Sequence, residues 1–142
     1  MAWRGVVLAM GIGTLVGAWR PLPAAAEEGE SPAAQAGHRL YSQHCEVCHG
    51  IRAGGDGPLA SELRVRPADL TRIAQRRSGV FPDVEVREII DGRRVVRGHG
   101  PEKMPIWGDV FREQTAGATY ESDVRDRVES LVTYLKSIQR TQ

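Results

Sequence analysis

Cysteine is close to absent from this chain: its 142 residues hold two, Cys45 and Cys48. One pair excludes the disulfide framework on which small secreted domains commonly rely. Alternating runs of β-branched and aromatic residues are nearly missing, which excludes a sheet-built domain and predicts an all-α class. Neither sign of charge dominates, with 19 Lys and Arg against 18 Asp and Glu, so nothing supports nucleic-acid binding. No apolar run reaches the roughly 20 residues that a membrane-spanning helix needs. Internal repeats and low-complexity tracts are missing too. What the absences leave is one small globular domain.

The N-terminus stands apart from that domain. Residues 1–4 read MAWR with a lone Arg4, and residues 5–18 carry no charge. Trp19, Arg20 and two prolines lead to three alanines at 24–26 and then to acidic EEGE. A basic start, a short apolar run and a small-x-small site predict a secretory signal peptide over 1–26, cleaved between Ala26 and Glu27. The expectation is export to the periplasm, with no membrane span after cleavage. Residues 27–32 then form a flexible acidic leader and residues 33–142 the domain. Losing 26 residues leaves 116, with 17 basic against 18 acidic side chains, and Met104 and Trp107 become the only residues of their types.

Helices dominate the rest. Ser31-Pro32 reads as an N-cap followed by a proline at the first helical position, opening a helix that runs to His44. Its Ala33, Gly37, Leu40, Tyr41 and His44 recur at spacings of three and four. Residues 50–58, GIRAGGDGP, form a loop with unusual backbone angles. Short helices are expected over 67–76, closed by Ser78-Gly79, and over 82–92, stopped at Gly92. Residues 93–108 read as a loop whose RRVV stretch is a candidate brief strand. The last helix opens at Ser122-Asp123, with Val124, Val128, Leu131, Leu135 and Ile138 on its apolar stripe.

The first helix leads directly into HCEVCHG, residues 44–50. Four chemistries compete for Cys45, Cys48 and His49. A disulfide here would close a four-residue loop and constrain little of the unfolded chain. A thioredoxin-like dithiol expects a βαβ context. Structural zinc needs four ligands, usually from two separated pairs, and no second Cys-x-x-Cys exists. Cys-x-x-Cys-His is also the pattern of covalent haem attachment. Cysteines at i and i+3 share one face of a helical turn, placed to form thioethers with two vinyl groups, and His49 can turn its imidazole to the iron. One haem c, bound through two thioethers, would also supply apolar interior that so small a domain lacks.

The opposite face of the haem decides the chemistry. Met/His ligation belongs to electron-transfer cytochromes, whereas an open site permits small-molecule binding or activation. Met104, in EKMPIWG, is the candidate sixth ligand, held in a loop fixed by Pro105 and Gly108. His99, five residues upstream, is the rival and would give a bis-His site. His38 and His44 lie on the helix before the motif and read as surface or packing histidines. Trp107 is a propionate donor, a pocket wall or a plain core aromatic. Arg93, Arg94 and Arg97 either steer an acidic partner, pair with propionates or form a solvated face.

Over roughly residues 33–138 the chain resembles bacterial class I monohaem cytochromes c, through CEVCH, GDGP, MPIWG and the final helix LVTYLKSI. The resemblance implies their fold, three to five helices wrapped around one covalently bound haem, and electron carriage between redox partner proteins. It implies that the Pro58 carbonyl meets the second ring nitrogen of His49, a contact that fixes tautomer and ligand strength. It also implies that the first and last helices cross through Gly37 and Tyr41, opposite Leu131, Tyr134 and Leu135. The stretch 109–122 is longer than a minimal cytochrome needs. The expected function is a periplasmic single-electron carrier, monomeric or in transient complexes, and not an enzyme. Two alternatives stay open: a haem subunit of a larger oxidoreductase, and a haem enzyme or gas-binding protein with a displaceable sixth ligand.

Overall fold

The computed structural model describes Met1 and residues 30–94, 105–115 and 120–140. The predicted signal peptide and its cleavage site, Arg97, His99 and Met104 lie outside the described residues. Within them the chain forms five α-helices and no strand: α1 (Pro32–His44), α2 (Glu46–His49), α3 (Asp83–Asp91), α4 (Trp107–Gln114) and α5 (Tyr120–Ser137). The all-α expectation is met.

α1 starts where its cap dictates. The Ser31 hydroxyl accepts from the Ala34 N–H at 3.2 Å, and Pro32 occupies the first helical position, where no N–H is needed. One face of α1 buries Ala34, Gly37 and Tyr41. It lies against α5, which buries Val124, Val128, Leu131, Val132, Tyr134 and Leu135. The crossing passes through Gly37, where a Cβ would collide with the Ser130 carbonyl oxygen of α5. On either side of that point, His38 stacks on Tyr134 at 5.0 Å between ring centroids, and Tyr41 tilts against it at 5.3 Å. The predicted crossing of the first and last helices is therefore present. Ile138, the last residue of the predicted stripe, is half-buried just past the end of α5.

α3 packs Val86 and Ile90 inward and ends at Gly92, whose φ of +83° favours glycine. Its last residue, Asp91, is buried and accepts from Arg112 of α4 at 2.7 Å. Arg87 joins α3 to α5 through both carboxylate oxygens of Glu129. α4 itself was not expected. The longer stretch beyond Trp107 is a two-turn helix with Phe111 fully buried.

The helix expected over 67–76 does not form. Residues 70–72 and 75–77 make two separate 3₁₀ turns. The Asp69 carboxylate takes both the Thr71 N–H (2.9 Å) and the Thr71 hydroxyl (2.6 Å), a local side-chain bond that competes with helix. An α-helix would pair the Ala74 N–H with the Leu70 carbonyl. Instead the Gln139 side-chain amide stands between them, accepting from Ala74 at 2.9 Å and donating to Leu70 at 2.8 Å. Residue 139 reaches back to override a local propensity.

Candidate haem-binding site

Cys45 is both the end of α1 and the cap of α2, and its φ of −112° bends one helix into the next. Within the short turn, the N–H groups of Cys48 and His49 both donate to the Cys45 carbonyl, at 3.1 and 2.9 Å. Gly50 reverses the chain at φ +82°. The loop then folds back over the motif, with Gly55 N–H to His49 O (2.8 Å), Gly57 N–H to Cys48 O (3.1 Å) and Leu59 N–H to Val47 O (2.9 Å). Gly57 lies so close that a Cβ there would come within 2.6 Å of the Glu46 and Val47 carbonyl oxygens. The buried Tyr41 hydroxyl donates to Gly50 O at 2.6 Å, which ties this loop to α1.

His49 is 5% exposed. Its Nδ1 meets the Ala68 carbonyl at 3.0 Å. An Nδ1–H donor leaves Nε2 as the ring's lone pair, the form that ligates a metal. Burial lowers the His49 pKa and the Ala68 bond opposes that shift in part, so the imidazole stays neutral. The expectation for Pro58 is corrected here. Pro58 is exposed on the folded-back loop, and the carbonyl that reaches the ring comes from Ala68, ten residues later. The loop's bonds to Val47 and Cys48 hold it against the motif's backbone, which leaves the imidazole edge to the next segment.

The cysteines are free thiols, both half-buried. Burial, helped by Cys48, pushes the Cys45 thiol up to about 12. A redox dithiol needs the opposite shift, toward thiolate. Among the described residues no group of three or more His, Cys, Asp or Glu side chains converges to hold a metal ion.

Cys45 and His49 form one wall of a cavity of about 330 Å³. Leu70 from the first 3₁₀ turn and Ile73 just after it, Val86, Ile89 and Ile90 from α3, and Leu131 and Leu135 from α5 make it apolar. Arg76, Arg77 and Glu85 are its charged members. These residues fit haem c: aliphatic walls for the macrocycle, a thiol and an imidazole on one side, and Arg76 for a carboxylate, Arg77 being already paired with Glu85. Trp107 also lines the cavity. Its indole Nε1 is buried without a hydrogen-bond partner among the described residues. The ring also belongs to the core, with His44 at 4.9 Å and Phe111 at 6.2 Å between centroids.

The remaining sequence candidates are elsewhere. His38 is exposed on α1, and His44 packs between Trp107 and Phe111. Arg93 is ion-paired with Asp91, and Arg94 with Glu85 and Glu88, so both are neutralised in the exposed turn after α3. Sequence reasoning missed Ala68, Arg76, Arg77 and Glu85. Ala68 acts through its backbone and leaves no side-chain signal, whereas the Arg76-Arg77 pair was readable as charge beside an apolar segment.

A family model described as cytochrome C oxidase, cbb3-type, subunit III matches residues 32–121, from the first residue of α1 into the first turn of α5. Among curated proteins, the dihydro-heme d1 dehydrogenase of Pseudomonas aeruginosa is 37% identical over 71 residues. That similarity covers 47% of this chain and 12% of the dehydrogenase, so the chain spans a small part of that relative's length. No solved structure matches.

Proposed function

The chain belongs to the c-type cytochrome family that the subunit III model describes, and from that premise we propose that it is a periplasmic protein carrying single electrons on one covalently bound haem c. The family supports haem-based electron transfer. The observation that carries the reading onto these residues is the cavity wall, where Cys45 stands beside a buried His49 whose Nδ1 is already committed to Ala68.

The chemistry that haem c supplies is a one-electron change at iron. Cys45 and Cys48 would hold it as two thioethers, each thiol hydrogen being retained in the product so that no oxidant is needed. His49 offers Nε2 to the iron while the Ala68 carbonyl holds the ring orientation and raises its basicity. The aliphatic walls exclude water, which keeps reorganisation small. In this reading Met104 would be the second residue to hold the iron, with His99 as the rival. Trp107 has an N–H without a partner among the described residues, suited to a propionate.

Acid–acetone treatment of the purified periplasmic protein should leave its haem attached; freely extracted haem would refute the reading. The native ferric form should show the weak far-red sulfur-to-iron band, and the ferrous form should resist carbon monoxide. Met104→Ala should lose the band, admit carbon monoxide and lower the potential. Carbon monoxide binding by the unaltered ferrous protein would point instead to an open-site haem protein.

One observation favours a second reading, a haem subunit of a larger oxidoreductase. The curated relative carries the matching segment as 12% of a dehydrogenase, and the family description is itself that of an oxidase subunit. A stable complex of fixed stoichiometry on native sizing would establish it; a monomer would return the free carrier.

A further inference from the structure

α3 ends in a carboxylate that its own chemistry does not explain. Asp91 is the last residue of that helix and is 8% exposed. A helix C-terminus carries partial negative charge, so the helix dipole disfavours an acid there. A buried carboxylate is also costly unless paired. Val86, Ile89 and Ile90 of the same helix line the haem cavity, but Asp91 does not. It lines a separate cleft with Arg93 and Arg112, and the two linings share no residue. The reason for Asp91 lies outside α3.

It lies in α4. Asp91 Oδ1 accepts from Arg112 at 2.7 Å, and Oδ2 pairs with Arg93 Nε at 2.5 Å. Arg112 also donates to Asp109, in the first turn of α4, at 2.7 Å. Ile106 gives that helix no side-chain cap. Asp91 stands against its first turn instead, where negative charge is favourable. A Cβ on Gly108 would collide with Asp91 Oδ1 and come within 2.7 Å of the Asp91 carbonyl oxygen. The next residue repeats the pattern, since a Cβ on Gly92 would collide with the Ile106 side chain. Two glycines and one arginine thus press residues 106–108 onto 91–92, with Trp107, a wall of the haem cavity, in the middle of the pressed segment.

Resting on the haem reading above, we propose that Asp91 is a positioning residue for the haem: through Arg112 and Gly108 it fixes the start of α4 and holds Trp107 in the cavity wall. The same clamp sets the point from which the chain leads back to Met104, three residues before Trp107 in sequence. Asp91 acts on the haem only through these groups. Arg87 is the natural comparison, because its pair with Glu129 ties the same helix to α5 and lines the same cleft.

The test measures, on the holoprotein, the midpoint potential and the rate of carbon monoxide binding to the ferrous form, with Tm alongside. By charge alone, Asp91→Asn would raise the potential and Arg112→Gln would lower it. Through position both lower it, as water enters a loosened cavity, and both speed carbon monoxide binding on the order of tenfold, the effect of one lost charge-assisted hydrogen bond. The double variant should go no further than either single one, and Arg112→Lys should recover most of the loss. Arg87→Gln should lower Tm and leave both haem readouts in place. Opposite potential shifts for Asp91→Asn and Arg112→Gln would overturn the proposal, leaving only a charge effect. So would Arg87→Gln moving both readouts as far, or a fall in Tm alone for the Asp91 variant. If Asp91→Asn yields no folded holoprotein, Arg112→Gln, at a side chain 26% exposed, carries the comparison with Arg87→Gln. Absent covalent haem, or ready carbon monoxide binding, in the unaltered protein would refute the underlying reading instead, and shows before any variant is made.

Discussion

Gly37→Ala sets two known quantities against each other. In a helix interior, replacing glycine by alanine stabilises by about 1 kcal/mol, because glycine loses more backbone freedom on folding. At the α1–α5 crossing the added methyl has no room. It would collide with the Ser130 carbonyl oxygen and sit 2.7 Å from Tyr134 Cβ. Neither neighbour can swing away, since one is backbone and the other is a side-chain root held by the helix. The helices must part, and overpacking of this kind costs typically 1–3 kcal/mol, occasionally more. Parting them also strains the His38–Tyr134 and Tyr41–Tyr134 contacts. The clash therefore wins, with a net loss of about 2 kcal/mol. For a domain of this size that lowers Tm by roughly 8 °C. Thermal unfolding of the holoprotein, followed by circular dichroism, reads it directly. Ala36→Gly, one position away and half-buried, is the companion variant and should lower Tm by only about 4 °C. A Gly37→Ala protein that melts higher than the parent, as propensity alone requires, would refute the close crossing.

Two further outcomes follow from single contacts. Tyr41→Phe removes the 2.6 Å bond to Gly50 O while Ala53 N–H still satisfies that carbonyl; the loss should be about 1 kcal/mol, with faster amide exchange in residues 50–59. An unchanged Tm and exchange pattern would show that the hydroxyl does not hold the loop. His44, packed against Trp107 and Phe111, has its pKa lowered by burial first and by Arg127 second. Its unfolded form takes up a proton as pH falls through about 6.5 while the folded form resists, so this contribution is complete above that pH and shrinks below it. Between about pH 7.5 and 5.5 the Tm of the parent should fall more than that of His44→Phe, which cannot protonate; parallel curves would remove His44 from the account.

Legibility in the sequence tracked how local the cause was. The Ser31 cap, the stripe of α5 and the small-plus-aromatic pair on α1 act through spacing within one helix, and all three appear in the structure. The motif's chemistry was readable because five consecutive residues carry it. What escaped reading was set by residues far apart. Nothing within 67–76 announces that the Gln139 amide will occupy the Leu70–Ala74 pair. α4 looked like an extended tail because its eight residues include a glycine and only three large apolar side chains, Trp107, Val110 and Phe111. Its stability comes from partners instead: Asp91 grips Arg112, Gly108 lets α3 approach, and His44 and Arg127 close over Phe111. The Pro58 expectation failed for the same reason, since a backbone carbonyl is supplied by whichever segment passes the ring. Here that segment is held by the Leu70 N–H bond to Ala53 O at 2.8 Å, which anchors Ala68 beside His49 from the far end of the glycine loop. The glycine loop thus reaches the His49 ring indirectly. It places Ala53 so that the following segment passes the imidazole, and the orientation of His49 depends on the path of residues 50–70 as a whole.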